Sequence, residues 1–216
     1  MRSQSDIWYK ESASKIEKEV GLFDDTKLLA GTSFECFKKQ SENLFPELEK
    51  ALEKAGLTMQ DIDQVVITDG PGSYTGVRIA MTVAKVLASQ RQIPLYTIST
   101  LQLYAGTAPA VNVLLDARGH RAYAGHVENG VLTEPETILT EAEYRKFLDS
   151  HPGSLMGDVP MEGTETVQPD FLQNFIDLQA QWVPVKNVHA AVPRYLKESD
   201  AYKTAPAAAV AESHAG

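Results

Sequence analysis

A glycine-rich loop between a strand pattern and an apolar helix pattern limits most strongly how this chain can fold. Residues 63–68 (DQVVIT) form the strand pattern, residues 69–76 (DGPGSYTG) the loop, and residues 77–89 the helix pattern. A second strand pattern follows at residues 94–98 (PLYTI). A strand, a helix and another strand in this order are typical of a βαβ crossover with a parallel strand pair. The sequence therefore predicts an α/β fold.

The loop has two chemical interpretations. A glycine loop at the start of a helix directs backbone N–H groups at one point, which favours a phosphate or carboxylate near Gly70, Gly72 and Ser73. The specific phosphate motifs fail, because Thr75 replaces the third glycine of a dinucleotide fingerprint and Val77 replaces the lysine of a P-loop. Ser73 also lacks the flanking glycines of a hydrolase nucleophile. A tight turn that lets the helix pack close to a sheet explains the same glycines.

The helix after the loop is apolar on nearly every side. Gly76, Ala80, Ala84 and Ala88 are spaced by four and form one stripe of small residues. A helix of this kind is buried all round, either in the core of its own chain or partly against another subunit. Two cations interrupt the apolar surface and should mark its edge or form salt bridges: Arg78 and Lys85.

Composition excludes several classes of protein. The 20 basic and 29 acidic residues give a net charge of −9, which is unsuited to gripping nucleic acid by phosphate neutralisation. The single cysteine, Cys36, rules out an internal disulfide or a cysteine-based zinc site, and no two histidines are three or four residues apart. We therefore predict no metal and no catalytic set. Without a signal-peptide pattern or an apolar stretch of ~20 residues, we predict a cytoplasmic protein.

Other patterns divide the chain into two lobes. Residues 41–55 predict an amphipathic helix, with Ser41 as its cap, Pro46 in or near its first turn and Gly56 at its end. The change in pattern near residue 106 leads to three predicted regions, which are an N-terminal lobe (1–105), a C-terminal lobe (106–200) and a disordered tail (201–216). Within the C-terminal lobe the patterns predict a hairpin (111–116 with 121–127), an Asn129-Gly130 turn, a capping box at 140–143 and a returning segment at 192–196.

The sequence DGPGSYTGVRI at residues 69–79, with the alanine-rich helix behind it, resembles the signature of the bacterial TsaB family, also called YeaZ. Three further segments agree in order and spacing: SENLFP (41–46), LDAR (115–118) with Tyr123-Ala124, and VPRYL (192–196). The resemblance implies an actin-like (ribonuclease-H-like, ASKHA) fold in two lobes, with mixed sheets flanked by helices.

The resemblance also implies a role. It implies a non-catalytic subunit for the formation of threonylcarbamoyladenosine (t6A) in tRNA, which pairs with the catalytic subunit TsaD, is joined by the ATPase TsaE, and forms homodimers when alone. Such a subunit contacts tRNA only indirectly and has no cofactor of its own, although an adenine nucleotide at the complex interface is a further expectation. We assign the partner interface to residues on two helices: Leu44, Leu48, Leu52, Gly76, Ala80, Ala84 and Ala88.

The N-terminus departs from the family pattern. An apolar strand ending in Asp-Thr-Ser is expected at about residues 7–14, but that stretch is IWYKESAS, broken by Lys10 and Glu11. Either a poor strand survives or the N-terminus is remodelled. Both outcomes weaken the case for nucleotide binding more than the case for a scaffold role. The rival function is a small actin-like ATPase or phosphotransferase using the glycine loop. A peptidase using Ser73 is a weaker alternative.

Overall fold

Two β-sheets with flanking helices organise the part of the chain that the computed structural model describes, residues 5–11, 17–35, 40–159 and 169–196. The strands are β1 (Ser5–Glu11), β2 (Glu17–Asp24), β3 (Lys27–Glu35), β4 (Ile62–Thr68), β5 (Leu95–Ile98), β6 (Val111–Asp116), β7 (Arg121–Glu128), β8 (Val131–Leu132), β9 (Thr137–Thr140), β10 (Ser154–Gly157) and β11 (Val183–Pro184). The α-helices are α1 (Gln40–Ala55), α2 (Tyr74–Arg91), α3 (Thr100–Ala105), α4 (Glu141–Ser150) and α5 (Phe171–Asp177). Short 3-10 turns lie at Met59–Asp61, Gln179–Gln181 and Val188–Ala190.

The predicted βαβ unit lies within the first sheet, whose strand order is β11-β5-β4-β1-β2-β3. Strands β4 and β5 are parallel, with Val65 opposite Leu95 and Thr68 opposite Ile98, and α2 connects them. Every residue of β4 except Asp63 is buried, as expected for a strand covered on both faces. This arrangement confirms the α/β prediction and brings the glycine loop to the carboxyl end of β4.

The N-terminal strand survives in the centre of the first sheet. Strand β1 pairs with β2 in the antiparallel direction and with β4 in the parallel direction. Backbone hydrogen bonds on both sides hold such a strand even where charged residues interrupt its apolar pattern. Of the two outcomes left open by the sequence, a retained strand is therefore the one observed.

The second sheet has the order β10-β6-β7-β8, and β9 also pairs with β7. The predicted hairpin is confirmed as β6 antiparallel to β7. The predicted turn is confirmed by the positive φ angles of Asn129 (49°) and Gly130 (83°). The capping box at Thr140 and Glu143 is also confirmed and starts α4. Strand β9 was not predicted.

Helix α1 agrees with its prediction except at its first turn. Gly56 has a φ of 68°, and the N–H of Leu57 donates to Leu52 O at 2.9 Å, which is the bond of a Schellman C-cap. The helix begins at Gln40, however. Ser41 therefore lies inside the helix instead of capping it. Pro46 falls in the second turn, next to the first turn, as the prediction allowed.

The stripe of small residues on α2 packs into the chain's own core, which is the central-helix interpretation. The same core holds the other residues assigned to the partner interface, so that all seven are buried: Leu44, Leu48, Leu52, Gly76, Ala80, Ala84 and Ala88. Several of them line a narrow apolar crevice between α1 and α2, whose floor includes Val65 and Ile67 of β4. Their contact with a partner stays a prediction, and a partner on this face would first meet the residues around the crevice.

The chain changes sheets between β5 and β6, close to the predicted lobe boundary near residue 106. It returns at β11, which pairs antiparallel with β5 at the edge of the first sheet. The assignment of residues to lobes stays a prediction, and the predicted tail (201–216) lies outside the described residues. Among the described helices, none combines the length and apolar character that a membrane crossing requires.

We predict that Ala84→Trp destabilises the chain itself. Ala84 is 2% exposed, so an indole there overpacks the core between α2 and the sheet, and we expect the free energy of unfolding to fall by about 3 kcal/mol or more. The matched control is Val86→Trp, because Val86 lies on the same helix but is 43% exposed; its effect should stay within about 0.5 kcal/mol. Urea unfolding measures both, and equal midpoints for the two variants would contradict the buried position of Ala84.

Candidate functional site

The glycine loop joins β4 to α2 through backbone that only particular residues adopt. Gly70 has a φ of 116°, and a Cβ built on it would lie 3.1 Å from Arg194 O, so both conformation and space favour glycine here. The Gly70-Pro71 peptide bond is cis. Ser73 is the N-cap of α2, and its Oγ accepts a hydrogen bond from Gly76 N at 3.4 Å. Ser73 therefore has a structural role in the described chain.

Backbone hydrogen bonds fix the loop to two neighbouring segments. Asp69 N donates to Ile98 O at 3.1 Å, and Thr100 N donates to Gly70 O at 2.8 Å, which ties the loop to the end of β5 and the start of α3. On the other side, Arg194 N donates to Asp69 O at 2.7 Å. The loop is thus held between the βαβ unit and a segment that comes from the far end of the described chain.

Arg194 connects both sheets through its side chain. Its Nη2 lies 3.2 Å from Asp69 Oδ2 and its Nη1 lies 2.6 Å from Glu136 Oε2. Ser99 Oγ donates to the other carboxylate oxygen of Glu136. The Glu136 side chain is only 2% exposed. One guanidinium therefore neutralises a carboxylate from the glycine loop and a buried carboxylate from the second sheet's β8–β9 connection.

The pKa values of Asp69 and Arg194 are both raised, which disfavours the charged form of Asp69 and favours the charged form of Arg194. Burial raises the pKa of Asp69 above its usual 3.8, and this effect outweighs the opposing charge and hydrogen bond of Arg194. No described group donates a hydrogen bond to the buried Oδ1 of Asp69. Burial lowers the pKa of Arg194, but Asp69 and Glu136 more than compensate and leave it raised. Arg194 therefore stays charged, while Asp69 is ionised at a cost.

We call residues 183–196 the C-terminal strap, because they run from the edge of the first sheet along α2 to the glycine loop. Val185 N donates to Leu95 O at 2.9 Å. Lys85 Nζ of α2 donates to His189 O at 2.7 Å and to Ala191 O at 3.0 Å. The prediction of a returning segment is confirmed. Lys85 binds the strap through two carbonyl groups. The sequence had predicted that Lys85 marks the edge of the apolar helix surface or forms a salt bridge.

Near the end of the strap, Tyr195 contacts the first turns of α2. Its ring centroid lies 5.9 Å from that of Tyr74. Arg78 Nη1 donates to Tyr74 Oη at 2.8 Å and to Tyr195 Oη at 3.4 Å, and its guanidinium carbon lies 5.1 Å from the Tyr74 ring centroid. Both tyrosines are exposed, at 64% for Tyr74 and 56% for Tyr195. The hydrogen bond that Arg78 donates to Tyr195 and the nearby Tyr74 raise the pKa of Arg78, so this exposed group is a permanent cation.

Two clefts meet at Gly72. One lies between Pro71, the strap and Tyr123. The other lies between the start of α2 and the β6–β7 turn. In that turn Asp116 Oδ1 accepts a hydrogen bond from Arg118 N at 2.7 Å. Of the candidate anion residues, Gly72 and Ser73 thus border open space, whereas Gly70 is buried and lines neither cleft. The use of these residues for a nucleotide stays a prediction.

Other candidate groups have structural partners. His126, in the His-x-Glu pattern, has Nδ1 2.8 Å from Asn112 Oδ1 and Nε2 3.3 Å from Glu128 Oε1. Among the described residues no cluster of three or more His, Cys, Asp or Glu side chains can hold a metal ion. The sequence missed Asp69 and Glu136 as functional positions. Asp69 opens the glycine loop and offered a signal, whereas nothing near Glu136 marks it as an arginine ligand.

We predict that Arg194→Met lowers the free energy of unfolding by about 2–3 kcal/mol. Breaking a fully buried ion pair costs about 3–5 kcal/mol, and the 33% exposure of the Arg194 side chain reduces that cost. Adding Glu136→Gln should restore part of the loss, because it removes one of the two stranded charges. Urea unfolding measures Arg194→Met, Glu136→Gln and the double variant beside Arg145→Met, an exposed control on α4. A loss in the double variant equal to the sum of the two single losses would contradict the network.

Asp69 should give stability a defined pH dependence. Because burial raises its folded-state pKa above 3.8, the folded chain holds this proton more tightly than the unfolded chain. The stability contributed by Asp69 is therefore greatest below 3.8 and is lost as the pH rises through the folded-state pKa. Urea unfolding of the natural chain and Asp69→Asn from about pH 3.5 to 7 checks this. As the pH rises, the free energy of unfolding of the natural chain should fall relative to that of Asp69→Asn. A relative increase would contradict the burial argument.

Relatives of known name share both sequence and fold with this chain. The family model described as "TsaD: tRNA N6-adenosine threonylcarbamoyltransferase" matches residues 35–151, more than half of the chain. The tRNA threonylcarbamoyladenosine biosynthesis protein TsaB of Bacillus subtilis is 29% identical over 76% of this chain and 82% of its own length. The TsaB of Escherichia coli is 31% identical over 55% of this chain and 54% of its own length.

Among solved structures, YeaZ from Pseudomonas aeruginosa superposes with a TM-score of 0.69 at 20% identity, covering 89% of this chain and 100% of that chain. The predicted fold class is confirmed as an α/β, actin-like arrangement of two mixed sheets with flanking helices. The glycine loop and the small-residue helix that suggested the resemblance lie within the matched residues. The chain belongs to the TsaB (YeaZ) family, within the wider group that the TsaD model describes.

Proposed function

We propose that this chain is a non-catalytic scaffold subunit for t6A formation in tRNA, which pairs with a TsaD-type catalytic subunit and recruits a TsaE-type ATPase. Membership of the TsaB family carries the proposal, because its curated relatives are named for threonylcarbamoyladenosine biosynthesis. The family model that matches the chain is named for the threonylcarbamoyltransferase itself. A protein of this family therefore acts in the t6A pathway.

The non-catalytic part of the proposal is supported by how the polar groups around the loop are used. Ser73 Oγ caps α2, and Asp69 and Glu136 both bind Arg194. An acid–base catalyst or nucleophile must instead present its reacting atom to a substrate. These groups stabilise the fold, which suits a subunit that supports another subunit's chemistry.

The partner surface that we propose is the outward face of α1 and α2 around the apolar crevice. Phe45 of α1 and Val86 of α2 are large apolar residues that stay exposed on these helices, and Val83 lines the crevice between the helices. Exposed apolar residues grouped on one face are typical of protein interfaces. The same face would pair two copies of the chain when the catalytic subunit is missing. The seven buried residues predicted for the interface would then support this surface from below.

The charge of the chain supports an indirect contact with tRNA. At −9, the chain lacks the excess of Lys and Arg through which proteins neutralise phosphates. We propose that the catalytic subunit holds the tRNA.

The rival proposal is a small actin-like ATPase or phosphotransferase. It is favoured by the cleft beside Gly72 and Ser73, which the start of α2 and Arg118 border. Calorimetry with ATP and magnesium discriminates, because tight binding by the isolated chain that is lost in Gly72→Val would favour this rival. An adenine nucleotide bound only after the partner subunit is added would fit the scaffold proposal instead.

We predict that Val86→Asp breaks the complex with the TsaD-type subunit. A carboxylate placed in an apolar interface loses its hydration without gaining a partner, so we expect the Kd to rise at least about tenfold. Light scattering of the mixed subunits gives the complex mass, and mass spectrometry of digested tRNA gives the t6A yield. Val131→Asp is the matched control, because Val131 is 47% exposed in the second sheet. Equal complex mass for both variants would exclude α2 as the contact.

A further inference from the structure

Arg78 differs from the other described cations on and beside α2. Arg194 binds two carboxylates, Lys85 binds two carbonyl groups of the strap, and Arg91 binds Met59 O and Gln60. Arg78 is exposed, and among the described residues its side-chain hydrogen bonds go only to the hydroxyls of two tyrosines. In a chain with an excess of nine negative charges, this guanidinium has no described carboxylate as its counter-ion.

The two tyrosines hold Arg78 in one orientation. Both hydroxyls accept from the same nitrogen, Nη1, and the guanidinium lies near the ring of Tyr74. Among the described contacts, none occupies Nη2 or Nε. A carboxylate pairs best with the planar fork of an arginine through two parallel hydrogen bonds. Fixing the side chain beforehand reduces the conformational entropy that such a pair costs on association.

The surroundings of Arg78 have the composition of an interface anchor. Tyrosine and arginine are enriched among the residues that dominate binding energy at protein interfaces. Tyr74, Arg78, Thr82 and Val86 are spaced by four along α2, and all of them are exposed. The tyrosine–arginine cluster is therefore continuous with the α2 face that we propose as the partner surface.

We propose that Tyr74, Arg78 and Tyr195 form an anchor for a carboxylate side chain of the partner subunit. The inference rests on the proposed scaffold function and names the chemistry of the contact. A protein carboxylate is favoured over an RNA phosphate because the net charge of −9 repels a polyanion, while a single carboxylate flanked by apolar groups fits one cation bonded to two tyrosine hydroxyls. The strap takes part through Tyr195, so its position along α2 is required for the anchor.

The test measures the Kd of the full chain for the purified TsaD-type subunit without tRNA, at low and high ionic strength. Arg78→Met should raise the Kd about 10- to 100-fold, the loss typical of an anchor residue, and should reduce the salt dependence of the Kd. Arg78→Lys should be intermediate because it keeps the charge and loses the fork. Arg145→Met, the exposed control on α4, should bind with the natural Kd and salt dependence.

Several results would overturn the anchor. An unchanged Kd for Arg78→Met beside a lost complex for Val86→Asp would refute it and leave the scaffold function intact. A raised Kd for Arg78→Met with the same salt dependence as the natural chain would assign Arg78 a packing role. An effect seen only with tRNA present would point to a phosphate. The same loss in Glu198→Gln/Asp200→Asn would place the carboxylate in this chain. Failure of the natural chain to bind the catalytic subunit would instead refute the proposed function.

Discussion

The contact on which the arrangement of the site depends is the guanidinium of Arg194 between Asp69 and Glu136. Two carboxylates from different sheets approach one another in a place with little water, where their repulsion is strong unless a cation lies between them. Arg194 supplies that cation, and its backbone N–H also fixes Asp69 O. The glycine loop, the strap and the second sheet are thereby joined at one point, which also brings Tyr195 to the first turns of α2.

This contact is part of a set of hydrogen bonds that fixes the glycine loop to its own chain. The carbonyl groups of Asp69 and Gly70 accept backbone hydrogen bonds from Arg194 and Thr100, and Ser73 caps α2. A loop fixed by its own chain in this way holds the start of α2 rigidly in place. Rigidity of α2 suits the proposed scaffold role, since a preorganised surface loses less entropy on binding.

The sequence predicted those elements whose signals are local. The βαβ unit, the β6–β7 hairpin and the α4 capping box each combine an apolar pattern with a turn or cap residue close by. Strand β1 was ambiguous because partners on both sides hold it through backbone bonds, which a side-chain pattern does not record. Strand β11 has two residues, too few for a period. Glu136 could not be assigned because its ligand, Arg194, is distant in sequence and meets it only in the folded chain.

The small-residue stripe shows why periodicity alone cannot separate a helix face that packs in the core from one that faces outward. On a helix that is apolar all round, the pattern does not distinguish the side that the chain's own sheet covers from the side that faces outward. Here the stripe packs over β4 and the neighbouring strands, and its small side chains allow α2 to lie close to them. The residues left outward are the neighbouring row from Tyr74 to Val86, which contains an aromatic ring, a cation and an aliphatic side chain. Under the proposed scaffold role a partner would contact that row, while the stripe packs α2 against the sheet beneath it.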